Sequence, residues 1–419
     1  MKKIFICLIV AFMCFLSIAQ IGAEEENTSN VEVSAPSAIL IDEATGTVLF
    51  QKEADAHKDP AGLTKIMSVY LACTNLKETD IVTLSKEVSN SYDHSTSVIW
   101  VMEGEKISAL DLEYASLIQN ANDTTAMLAD KVSGSADAFV SKMNEKAQEL
   151  EMNNTNFQNI FGLNNENNYS SARDIATLVR KATKNETFAK IFGASSWTIK
   201  PTNLQSNARV LAQGCEYLRS GSHYNSDIDG CKVGYTAEGG YVLATKATKK
   251  ATKGDTTFIA VVLGEETESK CYEDVDKLLA YGFNNYHTIE ITPEDIGTKI
   301  VEVYDGKKHI SNITFTVNDS FMALVPLSIK KEDLTTEIVV ANESSPVADD
   351  IEAEVHFILN GENVSTSKME KNVEDVTKQS SEVAKETGTL RTYFDYFCIG
   401  VLGILLFVRI SVALTPPKQ

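Results

Sequence analysis

Three short stretches of this chain hold residue types that could do chemistry together. The first runs Asp59-Pro60-Ala61-Gly62-Leu63-Thr64-Lys65-Ile66-Met67-Ser68. Pro60 suits a first helical turn, and Leu63, Ile66, Met67 and Tyr70 recur at helical spacing. Lys65 is therefore a cation on a largely apolar helix. A hydroxyl one turn earlier on the same face would complete a serine–lysine pair, a nucleophile with its base. The residue at that position is Gly62. Thr64 lies about 200° around the helix from Gly62, and Ser68 shares the lysine's face but one turn deeper, so neither replaces the missing oxygen. The second stretch, Asn120-Ala121-Asn122, leads into a helix with Met127 and Leu128. The third, Lys232-Val233-Gly234, precedes a strand beginning at Tyr241. Taken singly, Lys232 reads as an ordinary loop cation and Asn122 as a helix cap.

The elements that must position these residues follow from periodicity. Ser37 to Asp42 and Thr47 to Lys52 flank Glu43-Ala44-Thr45-Gly46, a hairpin signal. Ala109 to about Leu150 reads as helix. Ser170-Ser171-Ala172-Arg173-Asp174 offers an N-cap, with Ile175, Leu178 and Val179 lining one face beyond it. Asp123, Arg173 and Asp174 read as caps and surface pairs. Strands are expected at Tyr241 to Lys246 and Thr257 to Leu263, and a helix at Tyr272 to Tyr281. Strands at both ends of a segment with helices between them predict one antiparallel sheet flanked by helices, an α+β architecture. Beyond His287 the pattern alternates, with Asp305-Gly306 and Asn360-Gly361 as tight turns, so 289–364 is expected to be a small all-β domain.

The two ends carry targeting signals. Lys2 and Lys3, an apolar run from Ile4 to Leu16 and small residues up to Ala23 predict a secretory signal over 1–23, cleaved after Ala19 or Ala23. Residues 393–414 read YFDYFCIGVLGILLFVRISVAL, long enough for a transmembrane anchor, with Arg409 able to snorkel. Residues 365–392, rich in Lys, Glu and Ser, read as a polar stalk, helical or disordered. A formal net charge of −20 argues against nucleic acid as a partner. Of the cysteines outside the two ends, Cys73 is expected as a buried thiol; a Cys215–Cys231 bridge is one option, but Cys73, Cys215, Cys231 and Cys271 allow three pairings. They show no metal-ligand spacing, and nothing calls for a cofactor.

In order and context the three stretches resemble the SxxK, SxN and KTG motifs of penicillin-binding serine enzymes. They are most similar to those of the low-molecular-mass D-Ala-D-Ala carboxypeptidases, peptidase family S11. The resemblance extends from Ala35 to about Tyr286, through AILIDEATGTVLFQK, NTNFQNIFGL, YSSARD and KLLAYGF. It implies a penicillin-binding/β-lactamase-like domain over 35–286, and a β domain with a membrane-attached tail fits the same family. It also implies a nucleophile at position 62 with Lys65 as base, a proton relay at 120, and an amide-binding Asn122. Lys232, Val233 and Gly234 would hold a substrate carboxylate. Lys65, Asn122, Lys232 and Gly234 match that pattern, whereas Gly62, Asn120 and Val233 do not. Gly62 can form no acyl-enzyme, Asn120 has no hydroxyl proton to pass, and Val233 lacks a donor. The resulting expectation is a catalytically inactive relative on the outer side of the cell membrane, binding peptidoglycan stem peptides or an envelope protein. The competing expectation is an active carboxypeptidase with an unrecognised nucleophile.

Overall fold

The computed structural model describes residues 31–251, 254–305, 308–341, 352–359 and 361–375. The expected signal (1–23) and anchor (393–414) lie outside them. Among the described residues no helix is long and apolar enough to cross a membrane.

Five antiparallel strands form the central sheet, in the order Val48–Lys52, Ser37–Asp42, Thr256–Glu265, Gly240–Lys249 and Ile228–Thr236. The period-two geometry of a strand sends alternate residues to opposite faces, and here both faces are buried. Ile39, Ile41, Ile259, Val261, Val242 and Ala244 join one core. Ala38, Leu40, Phe258, Ala260, Val262 and Leu243 join the other. That second face is closed by helix Glu268–Asn285 through Cys271, Tyr272, Val275 and Leu278. The first is closed by helices Thr64–Asn75 and Ala172–Ala182, the latter capped by Ser171 as the sequence suggested.

The helical run expected over 109–150 is three helices, Ala109–Ile118, Asn122–Ser133 and Ala136–Glu149. The breaks have local causes. Asn120 takes a left-handed φ of 60°, and Gly134 caps the second helix at φ 77°. The first break places Asn120 between two helices and Asn122 at the first position of the second, so both lie at a corner facing the other two stretches.

Beyond residue 285 the described chain is β apart from loops and two single helical turns, Pro293–Ile296 and Lys331–Asp333. Tyr286–Ile291 pairs with Phe321–Pro326. A second sheet runs Lys299–Asp305, Lys308–Thr316, Glu362–Asp375, Glu352–Leu359 and Thr335–Ala341. Ala353, Val355 and Phe357 fill its core with Ile313 and Phe315. One expectation is corrected here. Residues 365–375, read as the start of a polar stalk, lie within Glu362–Asp375, which pairs with strands on both sides. Composition misled because strand pairing uses backbone groups, and Lys368 and Glu370 of this strand are exposed while Met369 is buried.

Cys215 and Cys231 form a disulfide, while Cys73 and Cys271 are free thiols. Cys73 is half-buried rather than fully enclosed, because it lies near the end of its helix, just past the buried run that stops at Ala72.

Candidate active site

The three stretches converge on one glycine. Pro60 and the single 3-10 turn Ala61–Leu63 start the Lys65 helix. A Cβ on Gly62 would lie 3.1 Å from Asn120 Oδ1, 3.1 Å from Gly234 Cα and 3.4 Å from the Val233 carbonyl oxygen. Position 62 is therefore the point at which the second and third stretches meet the first. Gly234 is glycine for a steric reason. A Cβ there would come within 2.5 Å of Gly62 N, so the strand can pass the turn only without a side chain.

Both lysines are buried. Lys65 is 3% exposed and donates from Nζ to the Phe161 carbonyl at 2.7 Å. Burial lowers its pKa to about 7. Lys232 is 1% exposed and donates to the Leu117 carbonyl at 2.6 Å and to Asn120 Oδ1. Burial first, and the charge of Lys65 second, hold its pKa well below the ordinary lysine range. Asn120 thus uses its side-chain oxygen to satisfy Lys232, close to where a side chain on residue 62 would begin.

Asn122 anchors the corner. Its N–H donates to the Ser97 carbonyl at 2.7 Å, and Nδ2 donates to Thr96 Oγ1 at 2.9 Å. Its buried Oδ1 has no hydrogen-bond partner within the protein. A buried acceptor of this kind wants a donor, and a peptide N–H would supply one. Val233 sits half-buried in its strand, with no hydroxyl to offer a carboxylate.

The hydroxyls near Gly62 are engaged or enclosed. Ser68 Oγ donates to the Ile160 carbonyl at 2.9 Å, and Thr64 is fully buried. Asp123 and Asp174 accept backbone amides, and Arg173 pairs with Asp55, as expected of structural residues.

Three supporting residues escaped the sequence reading. Asp59 accepts from Ala61 N at 2.9 Å and from Thr236 Oγ1 at 2.6 Å, tying the first stretch to the third. Phe161 supplies the carbonyl for Lys65. Gly162, at φ 77°, lies so close that a Cβ would fall 1.8 Å from the Ala61 oxygen. The NTNFQNIFGL segment contained the last two, but only as an apolar residue and a glycine with no chemistry of their own. The site brings together two buried amines and an unpartnered amide oxygen, without an oxygen nucleophile at residue 62.

Comparison with known proteins agrees with this architecture. The family model described as Peptidase_S11, D-alanyl-D-alanine carboxypeptidase, matches residues 23–267. The chain is 33% identical over 309 residues to the D-alanyl-D-alanine carboxypeptidase DacC of Escherichia coli (strain K12), covering 71% of this chain and 74% of that protein. It is 30% identical over 359 residues to DacF of Bacillus subtilis (strain 168), another D-alanyl-D-alanine carboxypeptidase, covering 83% and 87%. The solved structure of penicillin binding protein 5 from Haemophilus influenzae superposes with a TM-score of 0.71 at 24% identity, over 83% of this chain and 100% of that one, a likeness of fold.

Proposed function

This chain belongs to the D-alanyl-D-alanine carboxypeptidase family, peptidase S11, and from that premise we propose that it binds peptidoglycan stem peptides without cleaving them. Its relatives are named D-alanyl-D-alanine carboxypeptidases, enzymes that cleave. The observation that carries the reading is the glycine at the meeting point of the three stretches, beside a buried amine, an amide corner and a second amine that are all retained. Lys65 and Lys232 are kept as base and carboxylate-side cation by position, Asn122 as the acceptor of a ligand amide. Asn120 and Val233 remove the relay and a donor, so the site has lost transfer chemistry while keeping recognition chemistry. A site that must satisfy a ligand carboxylate loses about 1–3 kcal/mol with one donor gone, so binding at Val233 is expected to be weaker than in a carboxypeptidase.

One observation supports a second reading. The Lys65 amine titrates near neutrality, which suits a base able to activate water for slow direct hydrolysis.

The signal over 1–23 and the apolar run 393–414 support secretion and anchorage at the C-terminus, placing the folded part on the outer side of the membrane.

The deciding experiment is exposure of the purified protein to labelled penicillin, followed by intact-mass measurement and assay of D-alanine release from a stem pentapeptide. The expected outcome is no adduct and no release for the natural chain. The triple variant Gly62→Ser, Asn120→Ser, Val233→Thr should acylate, and by more than the single changes combined, because such residues act as a unit. A penicillin adduct on the natural chain overturns the reading. Release of D-alanine without an adduct would establish the water-based alternative.

A further inference from the structure

The loop running from Thr96 to Gly104 presents a large aromatic ring to solvent. Trp100 is 69% exposed, and its backbone lies in the left-handed region at φ 61°. For a bulky residue this conformation is strained and persists only where the surroundings enforce it. The enforcing group is the buried carboxylate of Asp123. It accepts from the amides on both sides of the tryptophan, Ile99 N at 3.1 Å and Val101 N at 3.1 Å. Arg209 completes the clamp, donating to the Trp100 carbonyl at 3.2 Å while paired with the buried Glu105.

The same loop frames the candidate site. Thr96 and Ser97 are the partners of Asn122, and Asp123 is its chain neighbour. Asn203 ties the facing loop to this one through the Gly104 carbonyl at 3.0 Å and Lys106 N at 2.8 Å. That facing loop carries exposed Leu204, Ser206 and Asn207. An exposed indole on one loop and an exposed hydroxyl and amide, Ser206 and Asn207, on the loop tied to it offer the two kinds of group that hold a pyranose ring. The sugar's C–H face lies on the aromatic, and its hydroxyl and N-acetyl groups meet the polar side chains.

We propose that Trp100 is a stacking platform for a sugar ring of the glycan that carries the stem peptide, and so a specificity-determining residue at the rim of the site. The proposal rests on the reading of the site as a binder of peptidoglycan. It assigns the peptide to the Asn122 corner and the sugar to the adjoining loop.

The test titrates the purified full chain with three probes: a free stem pentapeptide, the same peptide on its disaccharide, and an N-acetylglucosamine tetramer. Affinity is read by calorimetry and Trp100 by its emission, with Trp100→Phe as the blank. The chain's other tryptophan, Trp197, is stacked on Tyr114 at 3.8 Å and contributes a constant signal. The disaccharide peptide should bind ~5-fold more tightly than the free peptide, the worth of one aromatic contact. Trp100→Ala should abolish that advantage and leave free-peptide affinity unchanged, while Trp100→Phe keeps part of it. Equal affinity of the natural chain for both peptides overturns the proposal and leaves the site reading standing. Weakening of both peptides alike by Trp100→Ala also overturns it, since that marks a structural role. Trp100-dependent binding of the sugar tetramer with no binding of free peptide supports the platform and removes the stem-peptide reading. Silence of all three probes overturns both.

Discussion

Gly62 admits no added atom unless a neighbour moves. With Asn120 Oδ1 and Gly234 Cα each 3.1 Å from where a Cβ would sit, Gly62→Ser alone overpacks the junction, against the usual gain from replacing a helical glycine. The single variant should lose about 1 kcal/mol, and adding Asn120→Ser should recover it by removing the amide. Chemical denaturation of the two singles and the double gives the coupling energy directly, and strict additivity would show that the two side chains do not compete for one space. Lys65 supplies a second prediction. Its pKa falls from an ordinary 10.5 to about 7 on burial, so between those values the unfolded chain holds a proton that the folded chain has released. Stability therefore rises with pH across that window, and below pH 7 the full cost of burying a cation is present. Lys232 contributes with the same sign. The urea midpoint should climb from pH 7 to pH 9, and Lys65→Met should flatten that climb. A natural chain with equal midpoints at the two pH values would contradict the lowering of the Lys65 pKa by burial.

At the scale of elements, the edge strand Ile228–Thr236 carries the third stretch and is held from three sides. Its neighbour Gly240–Lys249 pairs with it, Asp59 holds Thr236, and the disulfide ties Cys231 to Cys215. The last link reaches the helix end just before the second stretch as well, because Gly214 N donates to the Ile118 carbonyl at 3.1 Å, next to the Leu117 carbonyl that Lys232 uses. The bridge closes a loop across a sequence separation of 16, a length for which cross-linking is worth about 3 kcal/mol. The double variant Cys215→Ala, Cys231→Ala should melt correspondingly lower. Both cysteines are fully buried, so a reductant should act on the natural protein only once it unfolds. An unchanged melting temperature in the double variant would mean the loop is already ordered without the bridge.

Over the whole molecule, the sheet-and-helix part and the β part touch through specific residues. Leu324 packs into the core beneath helix Glu268–Asn285, and Thr288 N donates to Thr256 Oγ1 at 2.9 Å. The strand Tyr286–Ile291 follows that helix without a linker, so the second part is braced against the first. If the chain is exported and held by 393–414, protease added to intact, wall-stripped cells should remove the region through 375. Full protection of that region would place the folded part on the other side of the membrane.

The sequence alone determined the family and many of the element types between 35 and 286, because apolar periodicity, caps and motif order are local properties that each segment carries by itself. It also determined the loss of an oxygen at residue 62, since side-chain chemistry needs no coordinates. What it left open was decided by tertiary structure. Of the four cysteines, Cys215 and Cys231 are bridged and Cys73 and Cys271 stay free thiols, a choice made by which chain segments lie together, the residue before Cys215 being held on Ile118. A polar stretch from 365 became a strand because its backbone found partners on both sides. Asn120 was legible as a missing hydroxyl, but only the fold shows that its amide satisfies Lys232 and crowds Gly62. Trp100, one apolar residue among several in its loop, stands out only once Asp123 and Arg209 are seen to hold its backbone. Such properties depend on which distant groups share a small space, and no local pattern records that.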